Sequence, residues 1–574
     1  MKKITLICAL ICCWNISWSQ LSFVDNASSL GVGFTYGDSF HGGGVSFVDF
    51  NQDGRDDLTY STEFGEEILF FRNDISGFTK IELPGITHSY QAKQVLWVDY
   101  DNDGDLDFFT TSMNGFNKLY QNNGALSFTD VTSTVGIFTE NLNTFGASFG
   151  DIDNDGDLDL FISNRGIDPE QRNYLYRNDN GHFVDITIAA GINISPEQSF
   201  CAAFFDYNND GDQDIYVAND KYTNTNRLYK NNGDGTFDDV SASSGTGVNI
   251  DAMSTTIADY NRDGWFDIYV TNTSAGNHLF KNNGDGTFTD TASITGTAFN
   301  SIAWGAVFFD ADNDTNLDLY VSGNLDGSNA TLLSAAFFLN NGDDTFSIPS
   351  AVGFDDDNRT SYSNAIGDVD NDGDADVVVM NETDHYFLWQ NLSFTNNNWL
   401  KIKLEGVAGN KNGIGNKIEV RANGVSQYRY TLCGEGYLGQ NSLYEFVGLD
   451  NATTIDYIKI TWNHSGQVET INNVQPNQSI TIQEGNGVLS TSEVTSSAFN
   501  IFPNPSNNGM FNIYFNKDIS DVNVEIFDFS GRLIYSKKGL QKNDVLDLEN
   551  YARGVYIAKI TTATTTSTIK LINQ

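Results

Sequence analysis

Seven segments of this chain set oxygen-bearing side chains at alternate positions around a tight turn, a spacing suited to wrapping a hard cation. They are DFNQDGRDDL from Asp49, DYDNDGDLDF from Asp99, DIDNDGDLDL from Asp151, DYNNDGDQDI from Asp206, DYNRDGWFDI from Asp259, DADNDTNLDL from Asp310 and DVDNDGDADV from Asp368. Calcium takes six to eight oxygens at about 2.3–2.6 Å in a tolerant geometry. Side chains at positions one, three, five and nine can converge on one such ion, and the carbonyl of position seven can join them. Glycine at position six permits the turn that brings the two arms together.

The candidate ligands follow loop by loop, the fourth in each set acting through its carbonyl. They are Asp49, Asn51, Asp53, Arg55 and Asp57 in the first loop, and Asp99, Asp101, Asp103, Asp105 and Asp107 in the second. The third offers Asp151, Asp153, Asp155, Asp157 and Asp159, and the fourth Asp206, Asn208, Asp210, Asp212 and Asp214. The fifth offers Asp259, Asn261, Asp263, Trp265 and Asp267, the sixth Asp310, Asp312, Asp314, Asn316 and Asp318, and the seventh Asp368, Asp370, Asp372, Asp374 and Asp376. Twenty-five carboxylates stand at the four side-chain positions of these loops. Held a few ångströms apart without a cation, they repel strongly. Up to seven Ca²⁺ are therefore expected, with calcium-dependent folding and affinities in the extracellular range of about 10⁻⁴–10⁻³ M. In the sixth loop Thr315 replaces the glycine, and a β-branched residue resists positive φ. A weaker or distorted site is expected there.

The closing acid arrives at position nine and opens a β-rich run (DLDFFTTS, DLDLFISN, DQDIYVAND, WFDIYVTN) rather than a helix, so each loop joins two strands. Successive loops start 50, 52, 55, 53, 51 and 58 residues apart. Between them recur KLYQNNGALSFTDV, YLYRNDNGHFVDI, RLYKNNGDGTFDDV and HLFKNNGDGTFTDT, with looser versions ILFFRNDISGFTKI and FFLNNGDDTFSI. Each reads as an alternating strand, an Asn/Gly/Asp turn and a short strand opening with Phe, a hairpin. A repeat thus holds four strands, the content of one propeller blade. The last repeat lacks its fourth strand, and LSFVDNASSLGV from Leu21 matches the closing strands of other repeats. That N-terminal strand is expected to complete the seventh blade and close the ring, removing two sheet edges.

These repeats resemble the FG-GAP or VCBS repeats of the integrin α-chain propeller and of many secreted bacterial proteins, over about residues 21–395. The resemblance implies an all-β fold, a seven-bladed β-propeller, with calcium in its loops. From Trp399, WLKIKLEGVAGNKNGIGNKIEVRANG, GEGYLGQNSLYEFVGL and IDYIKITWNHSGQVETI resemble the ASPIC/UnbV domain, placed at 396–485 as a small β domain whose glycines serve turns. Residues 486–498 read as a Ser/Thr-rich linker. Over 499–574, Pro503, Asn504, Pro505, Gly509, Gly531, Gly554 and Tyr556 carry a resemblance to the C-terminal sorting domain of the type IX secretion system, with an immunoglobulin-like β-sandwich as the implied fold. It implies export across both membranes and release or attachment at the cell surface, with the type IX machinery as a partner.

Residues 1–20 read as an export signal: Lys2 and Lys3 precede the apolar run Ile4–Trp14, which is too short for a permanent span. Cys8, Cys12 and Cys13 lack the small preceding residue of a lipid-attachment box, and no other stretch could cross a membrane as a helix. Seventy-five Asp and Glu against 31 Lys and Arg give a net charge of −44. That field repels phosphate backbones and excludes nucleic acid as a partner. After processing, Cys201 and Cys433 alone remain, so disulfides are not the framework.

In an alternating-strand blade the connections after strands two and four emerge opposite the aspartate loops. Those connections vary freely here (164–173, 219–226, 324–336), and variable loops on a rigid scaffold are where ligands bind. Arg172, Tyr222 and Trp304 are the candidates for stacking on, or hydrogen bonding to, an extracellular glycan or protein. No nucleophile elbow, zinc pattern or phosphate-cradling loop is present, so a binding or adhesion protein is expected rather than an enzyme. The alternative is a calcium-assisted polysaccharide lyase, with His41 or His88 as base, or another carbohydrate-active enzyme.

Overall fold

The computed structural model describes residues 21–574 apart from 36, 38, 75, 89, 325–332, 355–356, 493–498, 503–505, 507–508, 516–521, 529–531, 541–543, 563–565 and 574. The export signal lies outside the described residues, as do Pro503, Asn504, Pro505, Gly531, the end of the linker and most of the 324–336 connection.

Each aspartate loop joins two antiparallel strands, and the register explains its closing acid. The residue before position one pairs with position nine in every repeat: Val48↔Asp57, Val98↔Asp107, Gly150↔Asp159, Phe205↔Asp214, Ala258↔Asp267, Phe309↔Asp318 and Gly367↔Asp376. The hairpin adds two outer strands, as in Gln91–Val98, Asp107–Met113, Lys118–Asn122 and Phe128–Asp130. Among the described residues the repeats form seven such sheets.

The strands preceding the loops are almost fully buried and innermost, polar residues such as Gln94, Lys93 and Asn364 included. Each contacts the equivalent strand of the next sheet, and Ser361–Gly367 returns to Val45–Val48, so the order is cyclic. The N-terminal strand Phe23–Asp25 pairs with Phe387–Asn391 (Phe23↔Asn391, Asp25↔Trp389), supplying the missing fourth strand as the repeats predict. The cores lie between sheets rather than within them. Leu96, Phe109 and Leu119 pack on Phe149, Leu160 and Tyr176, and Phe47, Leu58 and Tyr60 pack on Val378, Tyr386 and Leu388 across the closure. The fold is an all-β propeller.

The following domain stacks two four-stranded sheets over a core that includes Leu400, Ile402, Ile418, Ile458 and Trp462. Its Asn398–Glu405 and Gln478–Gln483 run parallel, while its other pairs are antiparallel. The C-terminal unit has a three- and a four-stranded antiparallel sheet enclosing Phe511, Ile513, Val524, Ile526, Leu546 and Ile560. No helix among the described residues is long and apolar enough to cross a membrane.

Candidate metal loops

The loops are built by their own carboxylates. Position one accepts the N–H groups of positions five and six: Asp151 from Asp155 (3.1 Å) and Gly156 (3.0 Å), and likewise in all seven loops. Position nine is fixed from outside. Its Oδ1 accepts the N–H of an asparagine ending the third strand: Asn73, Asn122, Asn178, Asn231, Asn282, Asn340 or Asn391, at 2.7–2.8 Å.

Where position three is aspartate, carboxylate oxygens of positions one, three and nine lie within 4.8 Å of one another: Asp99, Asp101 and Asp107; Asp151, Asp153 and Asp159; Asp310, Asp312 and Asp318; Asp368, Asp370 and Asp376. Asp57 Oδ2, Asp101 Oδ1 and Asp312 Oδ1 are buried with no hydrogen-bond donor. Burial, with neighbouring carboxylates adding to it, pushes Asp107 up to about 9, Asp57 to about 8, and Asp99 and Asp151 to about 7. An all-oxygen donor set with orphaned buried lone pairs and self-repelling charge fits a hard divalent cation. The first loop is unlike the rest in that Arg55 at position seven pairs with Asp53 at position five (2.5 Å).

The sixth loop is not distorted as its sequence led one to expect. Thr315 takes φ 85°, matching the glycines at 85–97° in the same position of the other loops, and the Asp310, Asp312 and Asp318 cluster is kept. The turn is held by the same position-one bonds, and Arg262 Nη1 donates to Thr315 Oγ1 at 2.7 Å. A left-handed β-branched residue costs about 1–3 kcal/mol. Thr315→Gly is therefore expected to raise the melting temperature by a few degrees, read by calorimetry in calcium; a lower value would mean that the Arg262 bond outweighs the strain.

Two networks that the loop motif does not announce tie neighbouring blades together. Position four bridges to the next loop all the way round: Gln52 to Gly104 O (3.0 Å), Asn102 to Gly156 O (3.0 Å), Asn154 to Gly211 O (3.4 Å), Asn209 to Gly264 O (3.4 Å), Arg262 to Thr315, Asn313 to Asp374 (2.6 Å) and Asn371 to Gly54 O (2.9 Å). The third-strand asparagine staples backwards. Asn231 Nδ2 donates to Gln213 O of its own loop and to Ile152 O of the preceding one (2.7 Å), and Asn73, Asn178, Asn282, Asn340 and Asn391 do the same. For Asn178, Asn231, Asn282 and Asn340 the signal was in the sequence as the first Asn of an NNG or NDNG turn, where it reads only as turn chemistry.

On the opposite face Tyr222 is 72% exposed, Ile167 79% and Phe40 51%. Arg172 lies over Tyr174 and pairs with Asp185 at 3.3 Å. Trp304 belongs to an innermost strand and is buried in the central channel, its ring 4.9 Å from Tyr437 and 5.0 Å from His41. Burial pushes the His41 imidazole down to about 3, with Arg165 and Lys93 adding to it, and His88 down to about 4.

The loop face is covered by the domain at 396–485, which touches every loop. Ser442 Oγ donates to Asp56 (2.8 Å), Asn412 Oδ1 accepts the Asp99 N–H (2.7 Å), and His464 lies 3.9 Å from Asp151. Tyr430 accepts from Gln213 and packs on Phe266; Asp450 N–H donates to Asn313 O (2.8 Å); Lys401 Nζ, 2% exposed, reaches Asp368 at 2.9 Å. From this cap, Cys433–Gln440 enters the channel. Gly439 and Gln440 pair with Val45 and Ser46, Gln440 bonds both the N–H and C=O of Trp97 (2.8 Å each), and the Tyr437 hydroxyl donates to His41 O (2.7 Å). Two glycines make room: a Cβ on Gly434 would sit 2.3 Å from Ala147 O, and one on Gly439 would sit 2.4 Å from Asn364 O. They serve close approach within the channel, beyond the turns that the sequence suggests.

Comparison with known proteins agrees with this layout. The FG-GAP-like repeat family matches residues 49–110, 99–162, 165–217, 206–270 and 259–321; ASPIC and UnbV matches 406–489; the secretion system C-terminal sorting domain matches 500–574. The chain is similar to cartilage acidic protein 1 of Xenopus tropicalis, 30% identical over 152 residues, covering 25% of this chain and 23% of that protein. For the Mus musculus protein the identity is 29% over 171 residues, 28% of this chain and 26% of that one. The match thus spans about a quarter of the length of these relatives.

Proposed function

We propose that this secreted or outer-surface repeat protein, an FG-GAP-like propeller with an ASPIC and UnbV domain and a type IX sorting tail, is a calcium-loaded binding protein that takes an extracellular glycan or protein on the face opposite its metal loops. The observation that carries the reading is the closure of the other face: all seven loops are in contact with the 396–485 domain, and the channel behind them is filled. The opposite face exposes Phe40, Ile167 and Tyr222, with the Arg165 guanidinium over the Phe40 ring and paired with Asp220 (2.5 Å). Exposed aromatic rings beside a fixed ion pair suit the apolar and hydroxyl faces of a sugar, or a peptide side chain.

Bound calcium would supply charge to neutralise the loop carboxylates. The chain's own residues do the rest: position one closes the turn, position nine clamps it to the next strand, and the bridges from position four hold the blades in register. The lyase alternative has less support, because burial pushes His41 down to about 3 and His88 to about 4, which makes each a weak proton acceptor, and among the described residues no carboxylate is hydrogen-bonded to either ring.

A glycan array in millimolar calcium, paired with release of unsaturated uronides read at 235 nm, tests the reading. Binding that falls about tenfold or more in Tyr222→Ala with an unchanged melting curve is expected, since aromatic anchors carry interface energy. Product at 235 nm that disappears in His41→Ala or His88→Ala would overturn it.

A further inference from the structure

We infer that the 396–485 domain docks only on the calcium-loaded ring, so that calcium decides whether the central channel is plugged. This rests on the calcium reading above and extends it to a regulated interface.

Position-four residues bond to the next loop and to the capping domain at once. Asn102 gives Nδ2 to Gly156 O of the next loop while its Oδ1 accepts the Lys411 N–H, each at 3.0 Å. Asn371 gives Nδ2 to Gly54 O (2.9 Å) while its Oδ1 accepts from Lys401 Nζ (3.0 Å). Asn209 gives Nδ2 to Gly264 O (3.4 Å), and Lys417 Nζ bonds both Asn209 Oδ1 (2.8 Å) and that same Gly264 O (2.6 Å). Asn313 bonds Asp374 through its side chain and Asp450 through its carbonyl. One set of amides thus joins loop to loop and ring to cap.

These residues sit at the tip of each loop with φ of 56–58° for Asn102, Asn209, Asn313 and Asn371. Their placement depends on the turn staying closed around positions one, three and nine. Loops spread apart by unscreened carboxylates would withdraw the cap's acceptors and donors together, since hydrogen bonds weaken steeply with distance and angle. The plug is bound to the strands that lead into the loops: Gln440 holds both backbone groups of Trp97, two residues before Asp99, and the Tyr437 hydroxyl donates to His41 O. The plug enters as an extended segment tied to the innermost strands at Phe149, Thr255, Val45 and Ser46, and it is continuous with the capping domain. Metal and cap therefore stabilise one loop conformation, and such coupling is reciprocal: whatever weakens docking must weaken calcium binding by the same factor.

The full chain gives the test. Hydrogen exchange of a peptide covering Cys433–Gln440 is followed with calcium and in excess EGTA, with metal content measured in parallel. Exchange at least about tenfold faster once calcium has left is expected, and protection that survives emptying of the loops would overturn the inference. A second measurement covers the case in which the propeller itself opens in EGTA. Gln440→Ala alters the plug and no loop residue, and it should raise the calcium Kd about fivefold or more, within the usual range of coupling. An unchanged Kd would overturn the inference, while a chain that binds no calcium at all would instead defeat the calcium reading.

Discussion

Excess EGTA is expected to lower the melting temperature of the full chain by about 5–15 °C, and millimolar calcium to restore it. Linkage gives RT ln(1 + [Ca²⁺]/Kd), about 0.4–1.4 kcal/mol per site when millimolar calcium meets a Kd of about 10⁻³–10⁻⁴ M. Seven loops of one design multiply that, and a large domain converts each kcal/mol into about 2 °C. The structure supplies the reason for the sign. Asp107, Asp159, Asp214, Asp267, Asp318 and Asp376 are buried, and burial raises each of their carboxyl groups well above the ordinary range. Without a cation each must either stay protonated or be charged in a dry site. Magnesium should restore little, because it demands near-octahedral geometry and gives up water reluctantly. Calorimetry in EGTA, calcium and magnesium reads the effect; identical curves in all three would rule out filled calcium loops.

The second large effect is expected at Tyr437. It is fully buried in the channel, with Trp304 at 4.9 Å and Phe200 at 5.6 Å, and it touches no aspartate loop. Tyr437→Ala removes a large aromatic from an aromatic-lined cavity, a loss of about 3–5 kcal/mol. Tyr437→Phe keeps the ring and loses only the bond to His41 O, worth about 1 kcal/mol. The alanine variant should therefore expose the 431–442 segment to limited proteolysis and lower the unfolding transition, while the phenylalanine variant stays near the parent. Equal resistance of all three proteins would mean that the plug does not hold the cap.

What could be read in the sequence was whatever repeats. Spacing and residue type gave the loops, the strand after each of them and the N-terminal strand that completes the last sheet, because a period-two pattern and a fixed turn leave few alternatives. Contacts between repeats were harder to see. Asn231 looks like a turn residue until the preceding loop's Ile152 carbonyl is placed against it. Asn102 and Asn371 look like loop spacers until the next loop and the cap are both present. Trp304 reads in sequence as part of the ligand surface, yet the inward turn of its strand buries it against Tyr437, a residue 133 positions away. Thr315 shows the reverse for loop shape. Local φ preference argues for a damaged loop, but bonds from Asp310 and Arg262 hold the turn against that preference.

The most direct measurement is the metal content of the purified chain: equilibrium dialysis against rising calcium, with protein and metal quantified together. Saturation near seven ions per chain is expected, one for each aspartate loop. Asp→Ala at position nine of a loop whose positions one, three and nine form a carboxylate cluster, such as Asp159 or Asp376, should remove one ion from that total. A chain that stays below about one bound ion in several millimolar calcium, or whose uptake ignores those substitutions, would contradict the reading of the loops as metal sites and with it the calcium-stiffened ring.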